Sequence, residues 1–401
     1  MKPADEMELR NHRKLGQELG LFTSMEEAPG MPFFLPKGMA LRNELEAFWK
    51  TKHRLAGYQE IKTPIMMKQE LWEKSGHWEH YHENMYFSDV DGRRYAIKPM
   101  SCPGAVLVYN SRLRSYRELP ARFAELGLVH RHELSGSLNG LLRVRSFTQD
   151  DAHLFVREDQ IEAEISAILD LIHVFYEKFG FRYEVELSTR PEEFMGEVEI
   201  WDKAEASLAS VLKSKGLLFK VNEGDGAFYG PKIDFHIMDS LGRSWQCGTV
   251  QLDFQMPRKF GCTYIGENGK AHVPVMIHRA IYGSIERFMA ILIEHFGGGF
   301  PLWLAPVQAG IIPISEVHLD FALKVRNELE AAGIRIEIDP RPEKIGLKIR
   351  EAEMQKIPYM IVIGDREMQS GIMSVRGRKD KKQDALNISQ ILEKFSSEME
   401  N

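Results

Sequence analysis

Cysteine is scarce: three thiols, Cys102, Cys247 and Cys262, are scattered through 401 residues. An odd, widely spaced set offers no disulfide framework and points to a reducing compartment. The chain also lacks a C-x-x-C or H-x-x-x-H pair, so local spacing announces no metal site. Long apolar runs are missing, and no stretch approaches the length of a membrane span. The N-terminal MKPADEMELRNHRK is too polar for a secretory signal. Surplus positive charge is lacking too. Against 58 Asp and Glu stand 52 Lys and Arg, a net charge of −6, so the overall balance does not indicate a nucleic-acid partner. There is no internal repeat and no low-complexity tract. The expectation is a cytoplasmic protein with no membrane contact.

What remains is a composition 43% hydrophobic and 27% charged, enough for two or three domains with sizeable cores. Residues 5–20 read as a charged helix, and 39–55 as a second helix after the Pro/Gly-rich 26–38. GYQEIKTPIMM (57–67) suits a strand that meets Pro64. The clearest helix is 159–179, where Ile161, Ile165, Ile168, Leu169, Ile172, Tyr176 and Phe179 form one stripe and Gly180 follows. KIDFHI (232–237) and QCGTVQLDF (246–254) alternate as strands. Beyond GGGFPLWLAP (297–306), strands and helices alternate. The fold class expected is therefore an α+β domain on an antiparallel sheet, followed by a small α/β domain with βαβ crossovers. The boundary falls near Leu302.

One segment stands out. RVRSFTQDDAHLF (143–155) is rich in β-formers, and period-2 alternation places Arg143, Arg145, Phe147, Gln149, Asp151 and His153 on one face. Upstream, Arg131 and Glu133 share a face by the same rule. The turn-rich SGSLNG between them predicts a hairpin with a long loop, so that Arg131 and Arg143 reach one ligand. Guanidinium groups suit bidentate phosphate binding, and Phe147 offers a ring for a planar base. In YGSIERF (282–288), Arg287 follows Gly283 and Ser284 by one helical turn.

These residues resemble the signature motifs of class II aminoacyl-tRNA synthetases: Arg131, Glu133, Arg143 and Phe147 for the second motif, Gly283, Glu286 and Arg287 for the third. The segment ending in Pro64 resembles the first. KPMSCPG (98–104), GAFYGPK (226–232), VPVMIHRA (273–280), EKIGLKIRE (343–351) and IPYMIVIGDREM (357–368) narrow the resemblance to the threonyl-tRNA synthetase family, from about Arg10 to the C-terminus. The resemblance implies residues 1–30 as linker helix and entry loop, 31–302 as the catalytic domain and 303–401 as the anticodon-binding domain.

It also implies roles. Cys102, His153 and His278 would hold one zinc ion, leaving coordination positions open. In this family the metal takes the amino and hydroxyl groups of L-threonine, which separates it from the nearly isosteric valine. Asp151 would accept a hydrogen bond from the substrate, Gln149 and Tyr229 would close the pocket, and Cys247 would lie beside it. ATP, accompanied by Mg²⁺, would meet Arg131 at the α-phosphate and Arg287 at the γ-phosphate. Arg143 would hold the bent triphosphate, Phe147 and Arg287 would sandwich adenine, Glu133 would accept from its amino group, and Gln246 would touch ATP. Lys232 would stabilise transition-state charge. His77 would assist transfer to tRNA(Thr). Glu367 and Arg376 would contact anticodon bases. A homodimer through the first motif is expected.

Two other readings compete. A non-catalytic RNA-binding or regulatory paralogue predicts losses among Arg131, Arg143, Lys232 or Arg287, and none is lost. A class II synthetase for proline or serine does not account for Cys102, Asp151, His153 and His278 together. Between Arg341 and Lys382 stand 11 Lys or Arg against 6 Asp or Glu, a local basic excess suited to phosphate contacts. One departure from the family is Pro342, where relatives often carry Asn or Asp; proline has no side-chain donor for a base. A second is the start of the chain at the linker helix, without the editing domain of full-length bacterial relatives. Serine has the hydroxyl that valine lacks, so the sequence predicts measurable Ser-tRNA(Thr) formation by this chain. Negligible mischarging under conditions of full threonine charging is the result that rejects this.

Overall fold

The computed structural model describes residues 10–378 and 382–400. The first residues of the helix expected over 5–20, and three of the residues counted in the basic excess, lie outside that range. Within it the helix runs His12–Glu18. The chain packs as two compact units. One comprises 24–32 and 46–291; the other comprises the described residues up to Thr23, 33–45 and 292–400.

The larger unit is built on eight strands. In chain order they are β1 (Gln59–Glu60), β2 (Ala121–His130), β3 (Ser146–Val156), β4 (Arg182–Ser188), β5 (Phe219–Asn222), β6 (Lys232–Met238), β7 (Ser244–Asp253) and β8 (Val275–Ala280). Across the sheet they lie in the order β5-β4-β6-β7-β8-β3-β2-β1. All pairings are antiparallel except the outermost, β4 with β5 and β1 with β2. The unit's helices are α1 (Gln69–Ser75), α2 (Cys102–Tyr109), α3 (Ile161–Lys178), α4 (Val198–Ser214) and α5 (Ile285–Phe296). The apolar stripe expected on α3 is buried at every named position. Period 3.6 places that stripe on one side, and burying it offsets the entropy of ordering the helix. Polar Glu164 is buried with it because Arg122 of β2 grips both carboxylate oxygens at 2.6 Å.

The strand expected over 57–67 is split. Gln59–Glu60 joins β2, while Met66–Lys68 joins a separate three-stranded sheet with Tyr86–Val90 and Arg93–Ile97. Pro64 has no N–H for a ladder, so the chain leaves the first sheet there. A buried network spans the gap. Glu125 of β2 accepts from the Thr63 backbone N–H (2.9 Å) and hydroxyl (2.9 Å) and from Lys98 Nζ (3.0 Å), and Lys98 also donates to Thr63 Oγ1 at 2.8 Å. Lys98 is 0% and Glu125 2% exposed.

In the smaller unit β9 (Ala309–Pro313), β10 (Ile336–Ile338) and β11 (Tyr359–Ile363) run parallel in the order β10-β9-β11. The chain then adds β12 (Met373–Gly377) and β13 (Gln383–Leu386) antiparallel. Helices α6 (Leu319–Ala331), α7 (Ile345–Met354) and α8 (Ile388–Glu400) complete it. Its core gathers Ile311, Val325, Leu329, Ile361, Ile363, Ile391 and Phe395. The βαβ alternation was readable; β13 and the short helix Asp365–Ser370 were not, being brief and polar.

Replacing Lys98 by Met strands a buried carboxylate. Lys98→Met is expected to lower unfolding free energy by about 3–5 kcal/mol. Lys203→Met, which removes an exposed partner of Glu158, is expected to change it by less than about 0.5 kcal/mol. Urea unfolding followed by tryptophan fluorescence compares the two.

Candidate active site

Sheet register builds the site. His153 of β3 stands opposite His278 of β8; His278 stands opposite Gln251 of β7, and Gln251 opposite Lys232 of β6. Residues paired across antiparallel strands point to the same face, so four polar side chains form a row across four strands. Cys102, the first residue of α2, closes on the row from outside the sheet. One ligand atom from each of Cys102, His153 and His278 falls within 4.8 Å of the others, and all three residues are buried. The two imidazoles meet edge to face, 5.1 Å between centroids. Behind them Asp253 Oδ2 lies 3.0 Å from His278 Nε2, and Tyr229 packs on the His278 ring at 5.2 Å. The Tyr229 hydroxyl donates to Gln251 Oε1.

Burial controls protonation here. It pushes the Cys102 thiol well up, helped by the charges of Asp151 and Asp253. It pushes Asp151 up to about 7 despite the pull of His278. It holds His153 well below the usual imidazole value, with His278, Arg279 and Lys98 adding to the effect. A thiol, the His153 imidazole and a nearby carboxylate that resist carrying charge, with the His278 ring beside them, are a donor set that a divalent cation would relieve.

Next along β3, a cavity of about 230 Å³ opens. Arg131, Glu133, Arg143, Phe147, Gln149, Gln246, Cys247, Thr249, Gln251 and Arg287 are among its lining residues. Two arginines come from the β2–β3 hairpin. The expectation had put Arg131 and Arg143 inside strands, but β2 ends at His130 and β3 begins at Ser146, so both sit on the hairpin loop. Arg145 departs further. Its guanidinium donates to Glu133 O (2.9 Å), Pro29 O (3.2 Å) and Ser135 Oγ (3.2 Å), bracing the loop from behind rather than joining the ligand face. Arg131 is held by Pro99 O at 3.1 Å and lies 5.1 Å over the Phe147 ring. Arg143 faces Glu133 at 3.8 Å.

Strict alternation would send Gln246 and Cys247 of β7 to opposite faces, yet both line the cavity. The ladder explains this: His236 pairs with Gln246 and Phe235 with Gly248, leaving Cys247 as the extra residue of a β-bulge. A bulge turns two consecutive side chains the same way. Gln246 Nε2 donates to Asp234 Oδ1 at 2.8 Å. Lys232 is not among the cavity's lining residues; its ammonium sits between Asp234 (2.7 Å) and Asp225 (2.9 Å).

The opposite face of β3 anchors the segment entering α5. Asp150 accepts from the N–H groups of Ile281 (2.9 Å), Tyr282 (3.0 Å) and Gly283 (2.9 Å). Glu286 Oε2 accepts from Thr148 N at 2.8 Å. Thus Arg287 enters the cavity and is steadied by Leu142 O at 3.1 Å. Sequence reasoning passed over Asp150, Thr249 and Gln251. The alternation of β7 already grouped the last two with Cys247, and Asp150 carried no signal beyond its neighbour Asp151. His77 is 1% exposed at the start of the short helix His77–Tyr81, with Nε2 3.7 Å from Cys102 Sγ. In the smaller unit Arg376 pairs with Glu353 at 3.0 Å, and Glu367 accepts from Gly364 N at 2.9 Å. Pro342, ahead of both in sequence, is exposed.

Comparison with known proteins agrees with this arrangement. Residues 85–296 match the tRNA synthetase class II core domain (G, H, P, S and T), and 308–398 match an anticodon binding domain. A threonine–tRNA ligase of Syntrophomonas wolfei is 62% identical over 380 residues, which are 95% of this chain and 60% of that protein. The chain thus spans about 60% of the length of the curated relatives it matches. The crystal structure of the RNA binding domain of threonyl-tRNA synthetase from Cryptosporidium parvum superposes with a TM-score of 0.95 at 43% identity, covering 97% of this chain and 98% of that one. A putative threonyl-tRNA synthetase from Aeropyrum pernix gives 0.84 at 30% identity, covering 96% and 94%.

Gly283 tests the geometry of the cavity wall. Its φ is +80°, and a Cβ there would meet Cys247 O at 2.7 Å. Gly283→Ala is expected to cost about 1–3 kcal/mol of stability by displacing the bulge. Thermal melting measures it; an unchanged melting temperature rejects the strain argument.

Proposed function

The chain belongs to the threonyl-tRNA synthetase family of class II synthetases, and on that premise we propose that it is a threonine–tRNA ligase, activating L-threonine with ATP and transferring it to tRNA(Thr). The observation that carries the reading is the junction along β3: a cavity with three arginines meets a buried Cys-His-His group, and Gln149, Asp151 and His153 continue from one into the other. Adenylate formation requires a carboxylate and a triphosphate held side by side, and one strand face serves both.

In the first step the threonine carboxylate attacks the α-phosphorus and pyrophosphate leaves. Negative charge gathers on phosphoryl oxygens, and fixed cations near them lower the barrier without a general base. Arg131 takes the α-phosphate, Arg287 the γ-phosphate, and Arg143 the bend between them. Phe147 and Arg287 hold adenine, Glu133 accepts from its amino group, and Gln246 contacts ATP. Lys232 adds charge once drawn from its carboxylate partners. Mg²⁺ arrives with ATP.

Cys102, His153 and His278 would hold Zn²⁺. The donor set fits: three buried N and S ligands, with Asp253 on His278 Nε2 leaving Nδ1 as the nitrogen for the metal. When bound, the zinc would offer open positions to an amine and a neighbouring hydroxyl, which threonine has and valine lacks. Asp151 accepts from the substrate, Gln149 and Tyr229 close the pocket, and Cys247 borders it. His77 assists the transfer step. Residues 303–401 form the anticodon-reading domain, where Arg376 and Glu367 exchange their present partners for bases. Residues 31–302 form the catalytic domain. We read the chain as a cytoplasmic homodimer; among the described residues no helix is long and apolar enough to cross a membrane.

Amino-acid-dependent ATP–pyrophosphate exchange, with metal analysis, tests this. Exchange with threonine, weaker exchange with serine, none with valine, and about one zinc per chain are expected. Arg287→Ala is expected to lower exchange by about 10²–10³-fold. Bound zinc without exchange would point to a non-catalytic RNA-binding paralogue instead.

A further inference from the structure

We propose that Ser75 is a positioning residue that holds His77 as the Nδ1–H tautomer and thereby presents the Nε2 lone pair to the hydroxyl that attacks the aminoacyl adenylate. This rests on the reading of the chain as a threonine–tRNA ligase in which His77 assists transfer.

The geometry carries the assignment through a count of protons. Ser75 ends α1, and its hydroxyl donates back to Trp72 O at 3.0 Å. The same oxygen lies 2.7 Å from His77 Nδ1. A serine hydroxyl has one proton, and a carbonyl accepts only. With that proton on Trp72 O, Ser75 Oγ must accept, so the proton of the Ser75–His77 bond sits on Nδ1. The neutral ring then carries its lone pair on Nε2. Gly76 makes the contact possible: at φ +86° it reverses the chain between α1 and the next helix, folding the ring back over the hydroxyl. Trp72 packs edge-on against the ring at 5.8 Å. Ser75 is 3% and His77 1% exposed, so bulk water has little access to replace the serine.

The lock has work to do. Nε2 faces Met100 Sδ at 3.3 Å and Cys102 Sγ at 3.7 Å. Loss of the serine acceptor would let the proton move from Nδ1 to Nε2 and leave no base there. In the transfer step the terminal ribose oxygen of tRNA bonds to the carbonyl carbon. The carbon–oxygen bond to phosphate breaks and AMP leaves with the electron pair. The hydroxyl proton passes to His77 Nε2.

The test separates the steps. Transfer is measured by single turnover from preformed threonyl-adenylate, activation by pyrophosphate exchange, and the tautomer by ¹⁵N NMR of the histidine-labelled, zinc-loaded full chain. In the parent chain the His77 proton is expected on Nδ1. Ser75→Ala is expected to move it toward Nε2 and slow transfer by about 10–100-fold while exchange stays within about twofold. Adding Ser75→Ala to His77→Ala is expected to slow transfer no further. A proton on Nε2 in the parent chain, or equal loss of exchange and transfer in Ser75→Ala, overturns the inference while leaving the ligase reading intact. Full transfer by His77→Ala overturns the role of His77 and the inference with it. Absence of threonine-dependent exchange in the parent chain overturns the ligase reading itself.

Discussion

The antiparallel register of β3 against β8 is the constraint on which the site depends. It sets His153 opposite His278 and, through β7 and β6, extends the row to Gln251 and Lys232. Because side chains alternate with period 2, a slip of one residue would turn His278 to the far face and bring Arg279 into its place. The far face cannot accept that exchange. It is packed against α3, and its buried Asp150 holds the N–H groups of residues 281–283. The register that builds the Cys-His-His group is therefore the one that also starts α5 and aims Arg287.

Charge is organised around the same strand by depth. At the hairpin end, Arg131, Arg143 and Arg287 border an open cavity where water screens them. Further along, burial first and neighbouring charges second raise Asp151 and Cys102 and depress His153, so these groups resist carrying charge. The bulge at Cys247 joins the two regimes. It adds one residue to β7 and so gives the cavity both Gln246 and Cys247, which a regular strand could not. Arg145 shows the cost of holding the loop: one guanidinium of the R-x-R pair is used on backbone carbonyls while the other lines the cavity.

Much of this was legible in the sequence where the signal is local. The stripe of α3, the alternation of β6 and β7, the β2–β3 hairpin and the βαβ rhythm after residue 302 all follow from periods of 3.6 and 2. Gln149, Asp151 and His153 were correctly put on one face because β3 is regular from Ser146 onward. Arg143 reaches the cavity as expected but from the loop, and Arg145 was misplaced because alternation was carried past the strand's end, where chain direction is set by Asn139–Arg143 turn contacts and by Gly30 O accepting from Arg145 N at 2.7 Å. The bulge left no composition cue. Nor did the Thr63–Lys98–Glu125 network, whose members stand far apart in sequence and are ordinary surface types taken singly.

The sequence by itself determined which stretches form helices and strands, which faces they bury, and, through its motifs, the family to which the chain is similar. It did so because hydrophobic periodicity and short motifs are local properties of the chain. Only the tertiary structure decided that Cys102, His153 and His278 converge, that Arg145 turns away, that His77 lies buried against Ser75, and that Lys232 rests between two carboxylates. The convergence and the turn of Arg145 depend on strand register and on contacts between residues ten to more than a hundred positions apart, while the contacts of His77 and Lys232 are close in sequence and depend on local chain direction fixed by the surrounding packing.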